Sequence, residues 1–440
     1  MELDKNSIEV VFESLRKGVV PDVGLDAFAD GIQENLDEIK RNLKHAAARN
    51  GAVKFLTGGY GCGKTFMARL AIQEALKQDF AISMVVVSPN DTRFHSFDEV
   101  YMKVVGKIRT NEASEGAALY DIVDRWIGRI EDRIIGEGLS YDDPAFDERV
   151  RSSFLVELDE LAKEDAGPDF ISVLRAYFDA KQDGDVATAN QLLSWASGSK
   201  NISSSIKKKA GIKGEISSTS AFTYLKGILS IIRKAGHPGL VIVMDEMETI
   251  LRDRRDVREK SLNGLRQIID DLQSYPGIFW IFTGTPEFFD TRRGVQGLAP
   301  LNDRIAFRKI GTQVNRRQPQ LELMPFDKSR LINVALKLRE LYPEIAEKLD
   351  RYQIVAKVSD EFIEKLVSQI TSGLNADVGV VPRVFLREFV DILDTLDQSP
   401  DTFDPMVEYQ FNQSKLSEID KNEILEKEEL EEEKTPYQVF

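Results

Sequence analysis

Residues 58–65 read GGYGCGKT, and this stretch decides the fold. An apolar run with Val53 and Leu56 precedes it, and apolar residues at helical spacing follow it. Such an order predicts a buried strand, a glycine-rich phosphate loop and a helix, in which backbone N–H groups and the helix N-terminus face one phosphate chain. The alternative is a glycine-rich turn that happens to precede a helix. The predicted nucleotide-binding residues are Gly58, Gly59, Tyr60, Gly61, Cys62, Gly63, Lys64, Thr65 and Phe66.

The residue types of the loop indicate which side chains contact phosphate and which contact Mg²⁺. Lys64 is expected to reach the β- and γ-phosphates, and the Thr65 hydroxyl is expected to bind Mg²⁺. Cys62 is better explained as a small side chain tolerated in a tight loop than as a catalytic thiol. The sequence therefore predicts ATP and Mg²⁺ as cofactors of this segment.

A second segment, LVIVMDEME at residues 240–248, predicts a strand buried on both faces that ends in acids. We expect Asp245 to hold Mg²⁺ through a water and Glu246 to polarise the attacking water. A buried strand that simply ends in two solvated acids is the alternative. Together with residues 58–65, the segment favours hydrolysis over nucleotide binding alone.

Composition limits the classes of protein. The 440 residues predict two or three domains, and 58 basic against 73 acidic residues give a net charge of −15. That balance argues against a protein coated with nucleic acid, although it allows a local basic surface. A single cysteine fits the reducing cytoplasm, the acidic N-terminus does not resemble a signal peptide, and no apolar run approaches a membrane span. The three histidines give no metal-site spacing.

The pattern along the chain predicts five parts. They are an N-terminal helical segment (1–50), an ATPase core (51–325) with a helical insertion at about 110–225, a helical lid (326–400) and an acidic C-terminal tail (401–440). The insertion contains a stretch at 200–213 with five lysines and no acid. This stretch is either a solvated loop or an arm that contacts phosphates.

Three further positions are candidates for function. Thr283 ends a predicted buried strand at 278–282, where a polar residue either serves a turn or contacts the γ-phosphate or the lytic water. Arg304 lies within residues 291–317, which carry seven basic residues and one acid. It could reach the γ-phosphate of a neighbouring subunit, form a surface salt bridge or contact DNA. Arg383 follows Pro382 near a predicted helix start, where it either reaches the nucleotide or lies on the surface.

The order of these motifs resembles a known family. GGYGCGKT is followed by LLSWASG (192–198), LVIVMDEME, FWIFTGTPEFF (279–289), LNDRI (301–305) and GVVPRVFLREFV (379–390). Over residues 10–400 this order resembles the BrxD-type ATP-binding proteins of BREX phage-defence systems, which are similar to the origin-recognition branch of AAA+ ATPases. The phosphate loop alone is shared by many proteins, and the combination with the later motifs is much more specific.

The resemblance implies an α/β fold, a P-loop AAA+ three-layer sandwich with a parallel sheet, a helical insertion and a C-terminal helical lid. It also implies the family roles for Lys64, Thr65, Asp245, Glu246, Thr283 and Arg383, and a trans-acting role for Arg304. One departure stands out, because origin-recognition proteins usually append a winged-helix DNA-binding domain. Residues 401–440 are too few and too acidic for that domain.

Three functions compete at this point. The first is an oligomeric ATPase switch or motor in bacterial anti-phage defence that acts on double-stranded DNA, perhaps alongside another BREX protein such as a helicase. The second is a signalling or scaffold ATPase that remodels protein partners without contacting DNA. The third is a slow nucleotide-dependent clamp. The basic stretches favour the first, the net charge and acidic tail favour the second, and Glu246 argues against the third.

Overall fold

The computed structural model describes residues 3–88, 92–212, 215–310, 313–373 and 381–412. The described residues fall into two compact units. Unit 1 takes its residues from Met1–Leu36, Gly58–Gln73 and Glu322–Phe440. Unit 2 takes its residues from Asp37–Thr57 and Glu74–Leu321.

The strands form one five-stranded sheet and one small hairpin. In chain order they are β1 (Ala52–Thr57), β2 (Ala81–Val86), β3 (Leu240–Asp245), β4 (Ile278–Gly284), β5 (Lys309–Ile310), β6 (Gln313–Val314) and β7 (Gln320–Glu322). The sheet order is β2-β3-β4-β1-β7, and the pairs β2/β3, β3/β4 and β4/β1 are parallel. The hairpin pairs β5 with β6 antiparallel. The expected α/β fold with a parallel sheet is therefore confirmed.

Helices make up most of the remaining described chain. They are α1 (Lys5–Arg16), α2 (Leu25–Phe28), α3 (Gln33–Ala47), α4 (Lys64–Lys77), α5 (Phe97–Gly106), α6 (Ala118–Gly136), α7 (Phe146–Lys163), α8 (Pro168–Gln182), α9 (Val186–Ala196), α10 (Ser204–Lys209), α11 (Ser218–Lys234), α12 (Arg255–Asp270), α13 (Pro286–Asp290), α14 (Ala299–Ile305), α15 (Lys328–Leu341), α16 (Arg351–Lys357), α17 (Asp360–Gly373), α18 (Val381–Gln398) and α19 (Pro405–Glu408). No helix in the described part is long and apolar enough to cross a membrane.

The central strands of the sheet are buried. Every residue of β3 and β4 is buried, which explains why both strands read as continuous apolar runs rather than alternating ones. Their parallel register pairs Met244 with Phe282. The next residues along the two strands, Asp245 and Thr283, therefore lie side by side at the carboxyl edge, where ligands bind in open α/β sheets.

The regular secondary structure of the predicted insertion is helical over its described length. Between β2 and β3 the chain forms helices α5 to α11, somewhat beyond the expected range of 110–225. Their apolar faces are continuous with the core under the sheet, and the large buried side chains include Trp126, Phe154 and Phe178. The helical spacing of these residues in the sequence thus marked core faces, because helices bury the residues that recur on one side.

Unit 1 joins the N-terminal helix to the C-terminal helices. Arg16 at the end of α1 donates two hydrogen bonds to the Asp394 carboxylate in α18, at 2.6 and 2.8 Å. The Tyr342 hydroxyl donates to the same carboxylate at 2.8 Å, and its ring meets Phe12 edge-on. The N-terminal helix therefore packs with the C-terminal helices. Residues 413–440, most of the predicted acidic tail, lie outside the described residues.

Candidate functional site

The phosphate loop has a backbone that glycine alone adopts without strain. β1 ends at Thr57 and α4 begins at Lys64, so the predicted order of strand, loop and helix is confirmed. Gly61 and Gly63 have φ values of +69° and +83°. A Cβ on Gly58 would lie 3.1 Å from the carbonyl oxygen of Leu323. The loop is therefore set by backbone conformation and close packing.

Lys64 is held by its own loop. Its Nζ donates to the carbonyl oxygens of Gly58 at 2.9 Å and Gly59 at 3.1 Å, and it lies 5.3 Å from the centroid of the Tyr60 ring. The side chain is buried at 9 % exposure. An ammonium ion has three donors, so phosphate oxygens can replace these carbonyls as partners when a nucleotide binds. Among the described residues, Lys64 thus has carbonyl oxygens of its own loop as hydrogen-bond partners and no acidic one.

An N-terminal segment, residues 22–30, contacts both α4 and α15 within unit 1. On one side Asp22 pairs with Arg69 of α4, and Phe28 packs edge-on against Phe66. On the other side the Asp30 carbonyl accepts from Arg330 of α15 at 2.9 Å. No pattern in the sequence predicted these contacts, because the contacting residues are distant in the chain.

Arg383 also lies in unit 1. It follows Pro382 in the first turn of α18, as expected for a proline near a helix start. Its Nε lies 3.4 Å from the position that a Cβ on Gly18 would take. The side chain is thus packed against the chain just after α1.

Asp245, Glu246 and Thr283 meet in unit 2. The Thr283 hydroxyl donates a short hydrogen bond to the Asp245 carboxylate. The backbone N–H of Glu246 donates to the Thr283 hydroxyl at 3.0 Å and to the Asp245 carboxylate at 3.2 Å. Asp245 and Thr283 are 3 % and 0 % exposed, so Asp245 is not simply a solvated acid at a strand end. The parallel pairing of β3 with β4 produces this cluster, which we call the acidic strand end.

Glu246 has an unusual backbone. Its φ of +63° and ψ of +45° are left-handed, which costs a non-glycine residue about 1 kcal/mol. The other described non-glycine residues with positive φ are Arg49, Asp79 and Asp165, and each follows the C-terminus of a helix. Glu246 instead follows a buried strand, and its side chain is exposed. Strain of this kind concentrates where a side chain must be aimed.

Arg304 is engaged within its own chain. Its guanidinium pairs with Asp270 at the end of α12 and also donates to the carbonyl of Pro300. Both charged side chains are more than a third exposed, so this pair contributes little to stability. Arg304 can therefore exchange partners at small cost. The described residues contain no group of three or more His, Cys, Asp or Glu that could hold a metal ion.

Sequence reasoning missed a buried ion pair in unit 2. Lys54 lies in β1 at 1 % exposure, and its Nζ donates to Glu38 of α3 at 2.8 Å. Burial opposes ionisation, but hydrogen bonds from Arg41 and Lys54 lower the pKa of Glu38 to about 2. Burial lowers the pKa of Lys54 despite the bond to Glu38. The one available signal was a lone lysine inside the apolar strand AVKFLT.

Comparisons with known proteins connect this geometry to a family. The family described as "BREX system ATP-binding protein BrxC/D" matches residues 3–413. No curated protein matches the chain.

Two solved structures show weak likeness. A chain of the Drosophila ORC bound to DNA is 11% identical, with 91% of this chain and 64% of that chain covered and a TM-score of 0.38. A Walker-type ATPase of Pyrococcus abyssi is 11% identical, with 82% of this chain and 73% of that chain covered and a TM-score of 0.32. The chain thus spans less than two thirds of the Drosophila chain.

Proposed function

Because the chain belongs to the family of BREX system ATP-binding proteins BrxC/D, we propose that it hydrolyses ATP with Mg²⁺ and changes conformation as it does so. The observation that carries the proposal is the acidic strand end. A buried carboxylate fixed by a threonine, followed by an exposed glutamate on a strained backbone, suits catalysis better than nucleotide storage.

The phosphate loop binds the phosphates in this proposal. Lys64 leaves the carbonyls of its loop for the β- and γ-phosphate oxygens, and the backbone N–H groups at the start of α4 add partial positive charge. Thr65 and Phe66 occupy the first turn of that helix. Arg383 is proposed to contact the nucleotide from the lid.

The acidic strand end performs the chemical step. Thr65 and Asp245 would hold Mg²⁺, for which hydroxyl and carboxylate oxygens are suitable ligands. The ion neutralises charge on the phosphates when bound. Glu246 orients and polarises the attacking water, and Thr283 fixes Asp245 and the backbone of Glu246.

The direct test measures nucleotide binding and phosphate release on the same samples. We expect the wild-type chain to release phosphate from ATP only with Mg²⁺, and Lys64→Ala to lose binding. If the wild-type chain binds ATP but releases no phosphate under these conditions, the chain is a nucleotide-dependent clamp and not an ATPase.

We further propose that the chain assembles and that Arg304 acts in trans. Arg304 would leave Asp270 for the γ-phosphate of a neighbouring subunit, where its planar fork can bind two oxygens. Arg304→Ala should bind ATP and hydrolyse it slowly, and mixing it with Lys64→Ala should restore part of the rate. If confirmed mixed oligomers show no rescue at any ratio, the trans role is wrong.

Double-stranded DNA is the proposed substrate of the switch, in the cytoplasm of a bacterium defending itself against phage. The support is the basic content of residues 291–317 and 200–213 in a chain of net charge −15. A protein partner, such as another BREX protein, is the second candidate, favoured by the net charge. ATPase rates with and without duplex DNA at low and moderate salt separate them, because stimulation through phosphate contacts fades with salt.

A further inference from the structure

A short basic arm, the described residues 306–310 and 313–319, lies between α14 and β7 in the chain. Its described part contains the two-stranded hairpin β5–β6. The sequence has no Asp or Glu between Arg304 and Leu321, whereas the chain as a whole carries 15 more acidic than basic residues. The arm therefore stands out as a concentration of positive charge.

The base of the arm is anchored by hydrogen bonds. The Gln318 side chain accepts from the backbone N–H of Arg308 at 2.9 Å, which closes the arm across its base. Gln320, 3 % exposed, donates to the carbonyl of Ile305 at 2.7 Å. The backbone N–H of Phe55 in β1 donates to the carbonyl of Pro319 at 2.9 Å. The arm is thus held at both ends rather than hanging as a loose loop.

Lys54 adds a charged anchor from inside the sheet. Besides Glu38, its ammonium donates to the carbonyls of Arg316 at 2.9 Å and Gln318 at 2.6 Å. A buried ion pair seldom stabilises a fold more than packed apolar side chains would, because both charges lose their water. Two of the three donors of the Lys54 ammonium instead fix where two backbone carbonyls of the arm lie. The pair therefore acts as a positioning device for the arm.

The arginines of the arm point to its partner. Arg308 and Arg317 are exposed, and neither forms an ion pair within the part of the chain that the structure describes. The lysine stretch at 200–213 differs, because Lys209 lies 3.6 Å from Asp185 and Lys200 lies 3.8 Å from Glu215. The arm is consequently the stronger attractor of anions. Guanidinium groups bind phosphates bidentately, and a two-stranded ribbon fits the major groove of B-DNA.

We propose that the arm is a contact for the phosphate backbone of duplex DNA and that Lys54 with Glu38 sets its position. This inference rests on the proposed action on DNA and names the surface that carries it. Phosphate contacts position a protein without reading sequence, so binding through the arm should be indifferent to sequence.

The test compares two matched double variants of the full chain, Arg308→Gln with Arg317→Gln, and Lys200→Gln with Lys209→Gln, whose lysines lie beside acids. Each removes two positive charges. Anisotropy with a fluorescent duplex over salt from about 50 to about 200 mM should show the arm variant losing affinity on the order of tenfold, with the log–log salt slope smaller by about 2. The lysine variant should change less. Thermal midpoints and ATP affinity should match wild type.

Three other outcomes would contradict the proposal. Equal losses in both variants, or a larger loss in the lysine variant, would overturn the arm while leaving DNA binding intact. If wild type binds no duplex but retains ATP, the proposed action on DNA fails together with the arm. If poly-glutamate binds as tightly as duplex at matched charge, and the arm variant loses that binding, the partner is an acidic protein.

A second pair of substitutions tests the positioning role. Lys54→Met with Glu38→Met removes the buried charges together, which avoids leaving one of them unpaired. We expect weaker duplex binding, because the backbone of the arm loses the hydrogen bonds from Lys54. The salt slope should not change, because Arg308 and Arg317 remain. Wild-type affinity in a folded double variant would overturn the role of Lys54.

Discussion

In the proposed function, the phosphate loop and the acidic strand end serve the same substrate, and the two regions are built by opposite means. The loop is shaped by backbone: glycines with positive φ form it, and its one cation rests on the carbonyls of Gly58 and Gly59. The strand end is shaped by side-chain hydrogen bonds: Thr283 on one strand fixes Asp245 and the N–H of Glu246 on the next. The first region must exchange hydrogen bonds when phosphate arrives, whereas the second is set in advance.

The contrast teaches where each region is vulnerable. A cation that has only carbonyl partners in its loop gains strong charge-assisted bonds when phosphate binds, so binding depends on Lys64. A carboxylate already fixed by its neighbours contributes little to binding and much to geometry, so turnover depends on the strand end. Substitutions can therefore disable one region while leaving the other intact.

The largest expected effect is on binding. Lys64→Ala should weaken ATP binding on the order of 100-fold, because two or more charge-assisted bonds worth about 3 kcal/mol are lost. Isothermal titration calorimetry measures it. Lys77→Ala, at the far end of the same helix and paired with Glu74, is the control and should bind like wild type. If Lys64→Ala binds ATP with wild-type affinity, the phosphate loop does not have the proposed binding role.

The next effect is on turnover without binding. Thr283→Val keeps the shape of the side chain but removes the hydroxyl that links Asp245 to Glu246. We expect about a tenfold lower rate of phosphate release and about 1–3 kcal/mol less stability, since a buried carboxylate and an N–H each lose one hydrogen-bond partner. Thr283→Ser restores the hydroxyl and should recover most of the rate. If Thr283→Ser and Thr283→Val release phosphate at the same rate, the hydrogen bonds of the hydroxyl do not determine turnover.

Much of this comparison was predictable from sequence. The glycines with Lys-Thr predicted the loop, and buried strands that end in polar residues predicted Asp245, Glu246 and Thr283 at one sheet edge. Parallel strands align their carboxyl ends, so the edge followed from the strand assignments alone. The predicted strands before the phosphate loop, within residues 240–248 and at 278–282 are confirmed, as is a helix start near Arg383.

The remainder depends on contacts that sequence spacing does not encode. The pair of Lys54 with Glu38 joins a strand to a preceding helix, and the pair of Arg304 with Asp270 joins two helices. The left-handed conformation of Glu246 could not be predicted, because glycine is the residue type that usually indicates it. Tertiary packing selects such features, and a single sequence shows only the residue types that permit them.

The smallest expected effect concerns stability at Glu246. Glycine adopts a φ of +63° without penalty, so Glu246→Gly should be about 1 kcal/mol more stable than Glu246→Ala. Urea unfolding of both variants measures the difference, and both should lack turnover. Equal stability of the two would show that the strand end stores no backbone strain in solution.

Glu246→Gln provides the most direct test of the central claim that this chain hydrolyses ATP with the acidic strand end. The amide keeps the size of the side chain but cannot polarise water as a carboxylate does. Phosphate release and ATP affinity should be measured together, with Mg²⁺, on wild type and variant. The account predicts unchanged affinity with turnover lower by about 100-fold or more. Turnover at the wild-type rate in a variant that binds ATP normally would contradict it.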